Sequence, residues 1–436
     1  MNPVCLGIVL ITALSLSGLS VPLALIFGTI AAGLFGGMPL GHVLQVFSSG
    51  IAGGVNIALS YALLGMFAVG LTSIGLPEFL ASKITNSCHK LSPKVEIRRA
   101  VIFLLLCGIA SQTVIPIHIA FIPIVVPAFL ALFNRMHLDR RSIACVITFG
   151  LVATYSCLPF GFGEIFLREI VLGNMKAHGV PLALSDIGIV KLTAIPTLGM
   201  FLGLILALYS YGKPRFYEEK QVWAKSEGVV STRAVLFGTL SVVAMLAMQI
   251  AFRSMVIGAL SGFSVLLISG TIRWKDSDKI AVQGFGMMAS IGMIMIIAAG
   301  FSAVLSETGA VDGLVNMLLG ITAENTHLTI ILMLIIGLIL TLGIGSSFST
   351  VPILAAIFVP ICQRIGLNAE ATFLVLAVSG VIGDAGSVVS DSTLGTTTGL
   401  NVDGQHDHFK DSVVPTFLHF NIPQLIFGYF AIILFA

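Results

Sequence analysis

Long apolar runs separated by short polar loops dominate the chain. A helix that crosses a bilayer needs roughly 20 consecutive apolar residues, and runs near this length recur throughout the sequence. The pattern predicts an all-α polytopic membrane protein whose first run is a retained helix. Seven runs precede a hydrophilic linker and seven follow it: 4–19, 21–37, 54–75, 99–115, 117–134, 142–160 and 188–211, then 233–252, 255–272, 283–305, 326–345, 350–365, 369–389 and 415–435.

The linker divides the chain into two halves with the same order of segments. We expect a first transmembrane repeat at 1–211, a cytoplasmic linker at 212–232 and a second transmembrane repeat at 233–436. An odd number of crossings in each half turns the second repeat upside down in the membrane, so the sequence predicts two inverted-topology repeats. The landmarks that recur in corresponding places are Gly75 with Gly309, Pro123 with Pro352, and Asp139 with Asn368.

Basic residues indicate the orientation, because Lys and Arg are retained in short cytoplasmic loops. Most of the 22 Lys and Arg residues lie in loops that share one face if the N-terminus is outside. These loops are at 83–99, 135–141, 213–233 and 273–279. We therefore expect both termini outside, in a multi-pass protein of the plasma membrane of a bacterium, its inner membrane.

Composition narrows the classes of function. Hydrophobic residues make up 57% of the chain and charged residues 10%, with a mean hydropathy of +1.05, whereas soluble proteins average roughly 25% charged residues. The net charge of +2 gives no broad basic face of the kind that binds nucleic acid. The expected partners are the lipid bilayer and a small ion or small polar solute. No GxxxxGK[ST] sequence is present, so an ATP-driven motor is not indicated.

Two pairs of neighbouring runs are joined by polar stretches that would interrupt a helix within the membrane. Such backbone is tolerated only where it lines a cavity, and paired interruptions in corresponding places indicate the central site of a transporter. We predict a re-entrant hairpin in each half with binding residues at its tip; the alternative is that these side chains bond back to their own helices. The tips are Ser111, Gln112 and Thr113 in the first half, and Ser346, Ser347, Ser349 and Thr350 in the second.

The sixth run of each half contains a predicted helix break, at 153–164 and at 381–395, where proline or clustered glycine falls inside the run. The second break contains Asp384 and Asp391, and an aspartate at a helix centre costs about 2.5–3.5 kcal/mol. A cost of this size indicates an ion, a proton or a pore. Helix capping is the alternative role of Asp384. Asp391 is the preferred ligand because hydroxyl oxygens lie beside it, on Ser390, Ser392 and Thr393.

Histidines provide two further candidates. His118, inside the first predicted hairpin, could relay protons near neutral pH, with hydrogen-bonded packing as its alternative role. His406, Asp407 and His408 follow the second break and could bind a metal, but their spacing is not that of HExxH and no third fixed ligand is evident. We therefore predict no metal site, and we interpret this stretch as a hydrophilic loop at the cytoplasmic exit of the break.

The stretches Ser390 to Thr393 and His408 to Lys410 resemble the end of the NhaC-type Na⁺/H⁺ antiporter family, whose members carry a Ser-Asp-Thr-Thr-like stretch and then an Asp/His-rich segment. The C-terminal stretch is most similar to the YuiF-like branch. Gly345 to Val351 is similar to the Gly-Ser-rich break of that family. The overall plan resembles the wider ion transporter superfamily, in which Gln112 would replace the Asn of a Ser-Asn-Thr hairpin tip. This resemblance implies two inverted repeats with one hairpin each, and a homodimer.

Together these features predict an ion-coupled secondary active transporter, most similar to a Na⁺/H⁺ antiporter. The alternative is Na⁺- or H⁺-coupled transport of an amino acid or small organic anion, with hairpin hydroxyls and half-helix N-termini holding the solute carboxylate. A passive channel and an intramembrane metalloenzyme built on His406, Asp407 and His408 are further alternatives. We expect no catalytic residues and no cofactor, with Na⁺ or H⁺ as the coupling ions.

Overall fold

The computed structural model describes residues 2–76, 79, 93–113, 126, 129–130, 133–218, 231–252, 254–322, 325–388 and 390–436, which form helices, turns and loops and contain no strand. The helices of the first half are α1 (Pro3–Leu16), α2 (Val21–Phe35), α3 (Leu40–Gly50), α4 (Ala52–Ser73), α5 (Pro93–Thr113), α6 (Arg140–Cys157), a π-helical segment (Glu164–Leu172) continued by α7 (Gly173–Ala177), and α8 (Asp186–Ser210).

The helices of the second half begin after the linker. They are α9 (Thr232–Phe252), α10 (Met255–Ile268), a 3₁₀ turn (Trp274–Asp276), α11 (Ser277–Glu307), α12 (Ala310–Thr322), α13 (Thr326–Ile344), α14 (Ser347–Arg364), α15 (Ala369–Val381), α16 (Asp391–Leu400), and a last helix composed of a π-helical segment (His408–Val413), α17 (Val414–Thr416), a second π-helical segment (Phe417–Asn421) and α18 (Ile422–Phe435).

Six helices of the described chain are long and apolar enough to cross a membrane. Shorter apolar helices accompany them, including α2, α10 and α15. The structure therefore confirms the prediction of an all-helical membrane protein. The six are Ala52–Ser73, Asp186–Ser210, Thr232–Phe252, Thr326–Ile344, Ser347–Arg364 and His408–Phe435.

Helices α3 and α12 are among the helices that were not predicted from the apolar runs. Helix α3 has the sequence LGHVLQVFSSG and buries only Val43, and α12 is a 13-residue helix that contains Asp312 and Asn316. Both helices are shorter and more polar than a membrane-spanning run, so a search for continuous apolar stretches passes over them. The predicted run at 117–134 falls mostly outside the described residues.

Helices of the two halves meet where α4 crosses α11. A β-carbon at Gly65 would lie 2.3 Å from the carbonyl oxygen of Gly284, and one at Gly54 would lie 2.3 Å from that of Met295. Small residues allow such close backbone approach, which stabilises helix pairs in membranes where the hydrophobic effect between helices is absent. The third apolar runs of the two halves therefore form one central contact.

The matched landmarks occupy similar structural positions in the two halves. Gly75 and Gly309 both have left-handed φ, +77° and +63°, after α4 and α11. Asp139 caps the start of α6 by accepting from the backbone N–H of Arg141, and Asn368 caps the start of α15 in the same way. The inverted relation of the halves, the re-entrant hairpins and the division into repeats stay predictions.

Candidate functional site

The second predicted helix break lies between α15 and α16. Helix α15 ends at Val381 and α16 begins at Asp391, with non-helical backbone between them. Gly383 and Gly386 have φ of +100° and +106°, which residues with a β-carbon rarely adopt. A β-carbon at Gly386 would also lie 2.6 Å from the Cα of Phe417. Glycine is therefore required in the break, which separates the C-terminus of α15 from the N-terminus of α16.

Polar side chains satisfy the backbone groups that this break frees. The backbone N–H of Gly383 donates to the Oδ1 of Asn421 (3.1 Å), and the hydroxyl of Ser390 donates to the carbonyl of Asp384 (2.8 Å). The hydroxyl of Thr393 donates to another carbonyl of the break. Unpaired backbone groups would be costly at this depth. Ser390 and Thr393, which were predicted as ion ligands, thus hold the break in its conformation.

Asp384 projects from the break and is 7% exposed. Its Oδ2 accepts a hydrogen bond of 2.5 Å from the hydroxyl of Tyr155, and Ser392 donates to its Oδ1 over 3.4 Å. The Tyr155 oxygen also lies 2.8 Å from the Oγ of Ser347. Tyr155 belongs to α6 in the first half of the chain, Ser347 to α14 and Asp384 to the break after α15. The hydroxyl of Tyr155 therefore connects the first half to both interrupted segments of the second half.

Asp391 is the first residue of α16 and is exposed. A carboxylate in the first turn of a helix is stabilised by the free N–H groups and the helix dipole. Asp384 is therefore enclosed by protein, whereas Asp391 is accessible.

A cavity of about 40 Å³ connects these groups. Its polar wall consists of hydroxyl, amide and carboxylate groups, and none of its lining residues among the described part of the chain is Lys, Arg or His. Both carboxylates border it. Such a wall can coordinate a small cation or accept protons. The lining residues are Tyr61, Gln112, Leu151, Tyr155, Gly345, Ser346, Ser347, Phe348, Asp384, Asp391 and Ser392.

The predicted site residues divide into three groups in the structure. Ser390 and Thr393 stabilise the break, and His118 lies outside the described residues. Four hydroxyl groups of the predicted hairpin tips donate to carbonyls of their own helices or helix caps, which was the alternative to a role as ligands. These hydroxyl groups belong to Ser111, Thr113, Ser349 and Thr350. Six residues line the cavity, where their role as ligands stays a prediction: Gln112, Ser346, Ser347, Asp384, Asp391 and Ser392.

The two tyrosines of the cavity were not among the predicted site residues. Tyr155 lies within the stretch that was identified as the first helix break, and Tyr61 is a polar group in the apolar run at 54–75. A buried tyrosine hydroxyl in an apolar helix usually has a hydrogen-bond partner. That rule could have identified both tyrosines as candidates from the sequence, but it gives neither the hydrogen-bond partner nor the position of the hydroxyl in the fold.

The first helix break packs against the segment that carries Gln112. Helix α6 ends at Cys157, and helical structure resumes at Glu164. A β-carbon at Gly161, in the break, would lie 2.3 Å from the backbone carbonyl oxygen of Gln112. The hydroxyl of Thr193 donates to the Cys157 carbonyl over 3.3 Å. In both halves of the chain, a helix break therefore lies beside residues of a predicted hairpin tip.

The histidine-rich loop after α16 makes hydrogen bonds to the broken helix and to the start of the last helix. Among the described residues, no group of three His, Cys, Asp or Glu side chains could hold a metal. The Nε2 of His406 lies 2.8 Å from the Oγ of Ser412, and His408 bonds through its two ring nitrogens to Thr397 and to the carbonyl of Val388. Burial lowers the pKa of His406, against the opposing charge of a neighbouring aspartate. Through these hydrogen bonds, the loop stabilises α16 and the break that precedes it.

A buried ion pair connects the same loop to the first half. Arg140, at the start of α6, donates to both carboxylate oxygens of Asp403 and to the carbonyl of Leu400, the last residue of α16. Burial alone would raise the pKa of Asp403, but the hydrogen bonds from Arg140 hold it below its usual range. The ring of Tyr217, in the linker, lies 4.2 Å from the guanidinium of Arg140. We call Arg140, Asp403 and Tyr217 the linker clamp.

Comparison with protein families gives two matches. Residues 146–432 match the model of the Na⁺/H⁺ antiporter family, and residues 2–88 match a second model described as a Na⁺-H⁺ antiporter family. The first match covers both helix breaks, Tyr155 and both carboxylates of the cavity.

Relatives of nearly full length are found in several bacteria. An uncharacterised membrane protein of Vibrio parahaemolyticus is 44% identical over 99% of both chains, and one of Haemophilus influenzae is 41% identical over 99% of this chain and 98% of the relative. The "Putative amino acid transporter YuiF" of Bacillus subtilis is 42% identical over 90% of both chains.

Solved transporter structures share the fold at low sequence identity. The YdaH transporter of Alcanivorax borkumensis aligns with a TM-score of 0.62 and 13% identity, covering 90% of this chain and 88% of that one. MtrF of Neisseria gonorrhoeae, described with a class of antimetabolite efflux pumps, aligns with a TM-score of 0.60 and 14% identity over 89% and 83% of the two chains. The family match and the fold lead to one conclusion: the chain belongs to the Na⁺/H⁺ antiporter family of ion-coupled membrane transporters.

Proposed function

We propose that the protein exchanges Na⁺ for H⁺ across the membrane by alternating access, with Asp384 and Asp391 as the carboxylates for which the two ions compete. The membership in the antiporter family supports an ion-coupled mechanism. The observation that carries the proposal is the cavity, in which two aspartates face hydroxyl and amide oxygens without a basic residue. A Na⁺ ion takes oxygen ligands of this kind at interrupted transporter helices.

The size of the cavity also favours a small cation. A buried water needs about 10–15 Å³ of such space, so about 40 Å³ can hold a Na⁺ ion with one or two waters. In the conformation described, the cavity thus suits an ion with its waters better than a large solute.

The second candidate is Na⁺- or H⁺-coupled amino acid transport, and one feature of the cavity favours it. Helix α14 begins at Ser347, and in the described structure its N-cap residue, Ser346, makes no side-chain capping bond. Free N–H groups at a helix N-terminus attract carboxylates, while Asp384 could receive an ammonium group. The name of the relative YuiF supports the same candidate. This function requires a wider cavity in another state of the transport cycle.

A flux assay distinguishes the two candidates. The purified protein is reconstituted in liposomes that contain a pH-sensitive dye, and an inward Na⁺ gradient is imposed with and without a panel of amino acids and carboxylic acids. Exchange predicts that Na⁺ entry expels H⁺ and makes the lumen more alkaline without any solute, an effect that is abolished when K⁺ replaces Na⁺. If protons move only when a solute is present, the proposal of Na⁺/H⁺ exchange is wrong, and the solute that allows proton movement is the transported substrate.

The remaining expectations complete the proposal. We infer a bacterial plasma membrane from the bacterial relatives, and termini outside from the basic loops. The linker clamp would then lie at the cytoplasmic end, beside the linker at 212–232. The two inverted repeats would place the two breaks on opposite sides of the cavity, and two copies of the chain would form a homodimer.

A further inference from the structure

The hydroxyl of Tyr61 is a buried polar group of the cavity wall that has no hydrogen-bond partner in the described part of the chain. Tyr61 is 1% exposed, so the residue is shielded from bulk solvent. A buried tyrosine O–H usually has a partner, because leaving such a hydroxyl unpaired is unfavourable. A group that enters the cavity during transport can make this contact.

The other tyrosine of the cavity differs in its contacts. The hydroxyl of Tyr155 donates to Asp384 and lies 2.8 Å from the Oγ of Ser347, so side chains of the protein already occupy it. A phenol oxygen has one hydrogen to donate and lone pairs that accept. In Tyr61, both the hydrogen and the lone pairs remain free for a group that does not belong to the described protein.

Aromatic packing fixes the position of the Tyr61 side chain. Its ring lies 5.5 Å from the ring of Phe162, in the first helix break, and packs edge-on at 5.8 Å from the ring of Phe348. The ring of Phe348 also lies 5.3 Å from that of Tyr155, so one phenylalanine of the cavity wall contacts both tyrosines. A group that is held in place before its ligand arrives loses little conformational freedom on binding.

Tyr61 comes from a part of the fold that contributes no other described residue to the cavity wall. It lies on α4 between Gly54 and Gly65, where α4 closely approaches α11. The other lining residues belong to α5, α6, the junction of α13 and α14, the second break and the start of α16. An ion in contact with Tyr61 and a carboxylate would therefore connect the α4–α11 pair to the broken helix.

We propose that the hydroxyl oxygen of Tyr61 is a ligand of the transported Na⁺ ion, an inference that rests on the exchange function proposed above. Hard cations take several oxygen ligands at once, and a neutral phenol oxygen supplies one without adding charge to the site. A proton forms an O–H bond with one carboxylate and needs no such set of ligands. Tyr61 therefore stabilises the Na⁺-loaded state much more than the proton-loaded state.

The Tyr61→Phe variant tests the assignment, because it removes the hydroxyl and keeps the ring. Full-length protein in proteoliposomes is assayed for exchange of ²²Na⁺ against Na⁺ at equal pH, over a range of Na⁺ concentrations. We expect the apparent KM to rise roughly 10- to 100-fold, as the loss of one contact to a charged group predicts. The maximal rate should change little, since the lost contact contributes to binding of the ion.

Thermal unfolding in detergent distinguishes an ion ligand from a residue that only packs. Without Na⁺, Tyr61→Phe removes an unpaired hydroxyl, so its Tm should equal or exceed that of wild type. Added Na⁺ should raise the Tm of wild type more than that of Tyr61→Phe, because a ligand that binds more tightly stabilises the folded state more. Tyr429→Phe is the matched control: the Tyr429 hydroxyl lies 3.0 Å from the Nδ1 of His327, away from the cavity lining, and its response to Na⁺ should equal that of wild type.

The possible outcomes separate the role of Tyr61 from the exchange function. If Tyr61→Phe keeps the apparent KM and the Na⁺-dependent rise in Tm of wild type, Tyr61 is not a ligand while Na⁺/H⁺ exchange stands. A Tm of Tyr61→Phe below that of wild type without Na⁺ would show that the hydroxyl is already paired within the protein, which also contradicts the assignment. Wild-type protein that neither exchanges Na⁺ nor gains stability from it would refute the exchange function and the Tyr61 ligand together.

Discussion

Substituting Asp384 by asparagine removes one negative charge from the cavity with little change in shape. An asparagine keeps a side-chain oxygen that can accept the 2.5 Å hydrogen bond from Tyr155, so we expect the variant to fold and insert. Asp384 is only 7% exposed, and an effective dielectric constant of about 20 is appropriate for such a position. At a separation of about 4 Å, the lost attraction to a Na⁺ ion is then about 4 kcal/mol.

A loss of about 4 kcal/mol corresponds to roughly a 1,000-fold weaker Na⁺ affinity. The measurement is the exchange of ²²Na⁺ against Na⁺ at equal pH in proteoliposomes as a function of Na⁺ concentration, which gives an apparent KM for each variant without requiring net proton transfer. Asp278→Asn is the matched control, because Asp278 is exposed in the first turn of α11 and does not line the cavity. An apparent KM of the Asp384→Asn variant within threefold of wild type would refute the assignment of Asp384 as a Na⁺ ligand.

Three other predictions follow from the surroundings of the cavity. Tyr155→Phe removes a donor to a buried carboxylate and should lower the stability of the detergent-solubilised protein by about 1.5–3 kcal/mol, seen as a lower Tm; an unchanged Tm would show that the hydrogen bond is not formed. Asp403→Asn leaves the charge of Arg140 buried and should cost about 3–5 kcal/mol, whereas adding Arg140→Gln should recover part of the loss; a double variant less stable than either single variant would contradict this. Burial lowers the pKa of His406, so the folded state favours the neutral ring: its contribution is complete above the ordinary pKa of 6.5 and is lost as pH falls towards the lowered value, at about 1.4 kcal/mol per pH unit. The Tm of wild type should therefore drop from pH 7 to pH 5 more than that of His406→Gln, and equal drops would contradict it.

The helices and their interruptions could be predicted because their causes are local. An apolar run of sufficient length forms a helix, and glycine at Gly383 and Gly386 ends one wherever the neighbouring helices lie. The same local argument identified Gln112, Ser346 and Ser347, since a polar residue at a helix interruption in a membrane is expensive unless it lines a cavity. These residues were found without knowledge of their partners.

The contacts of the site could not be predicted because they join distant parts of the chain. Tyr155 meets Asp384 across 229 residues of sequence, and no local pattern indicates which buried tyrosine faces which carboxylate. Hydroxyls present a different difficulty. Thr350 and Ser347 lie in the same turn of α14, yet Thr350 donates to the Ser346 carbonyl while Ser347 bonds to Tyr155. The side-chain rotamer and the neighbouring helix decide between these outcomes, and neither can be read from the sequence.

Asp384 also explains why exchange would be strictly coupled. Its carboxylate is enclosed by Tyr155 from one half and by Ser392 from the other, so a movement of the halves past each other must carry this charge through a region of low dielectric constant. Moving the bare charge costs several kcal/mol, whereas a bound Na⁺ or a proton neutralises it. The loaded states would therefore convert between the two faces and the empty state would not. A transporter restricted in this way delivers one kind of ion only when it returns the other, which is the requirement for antiport.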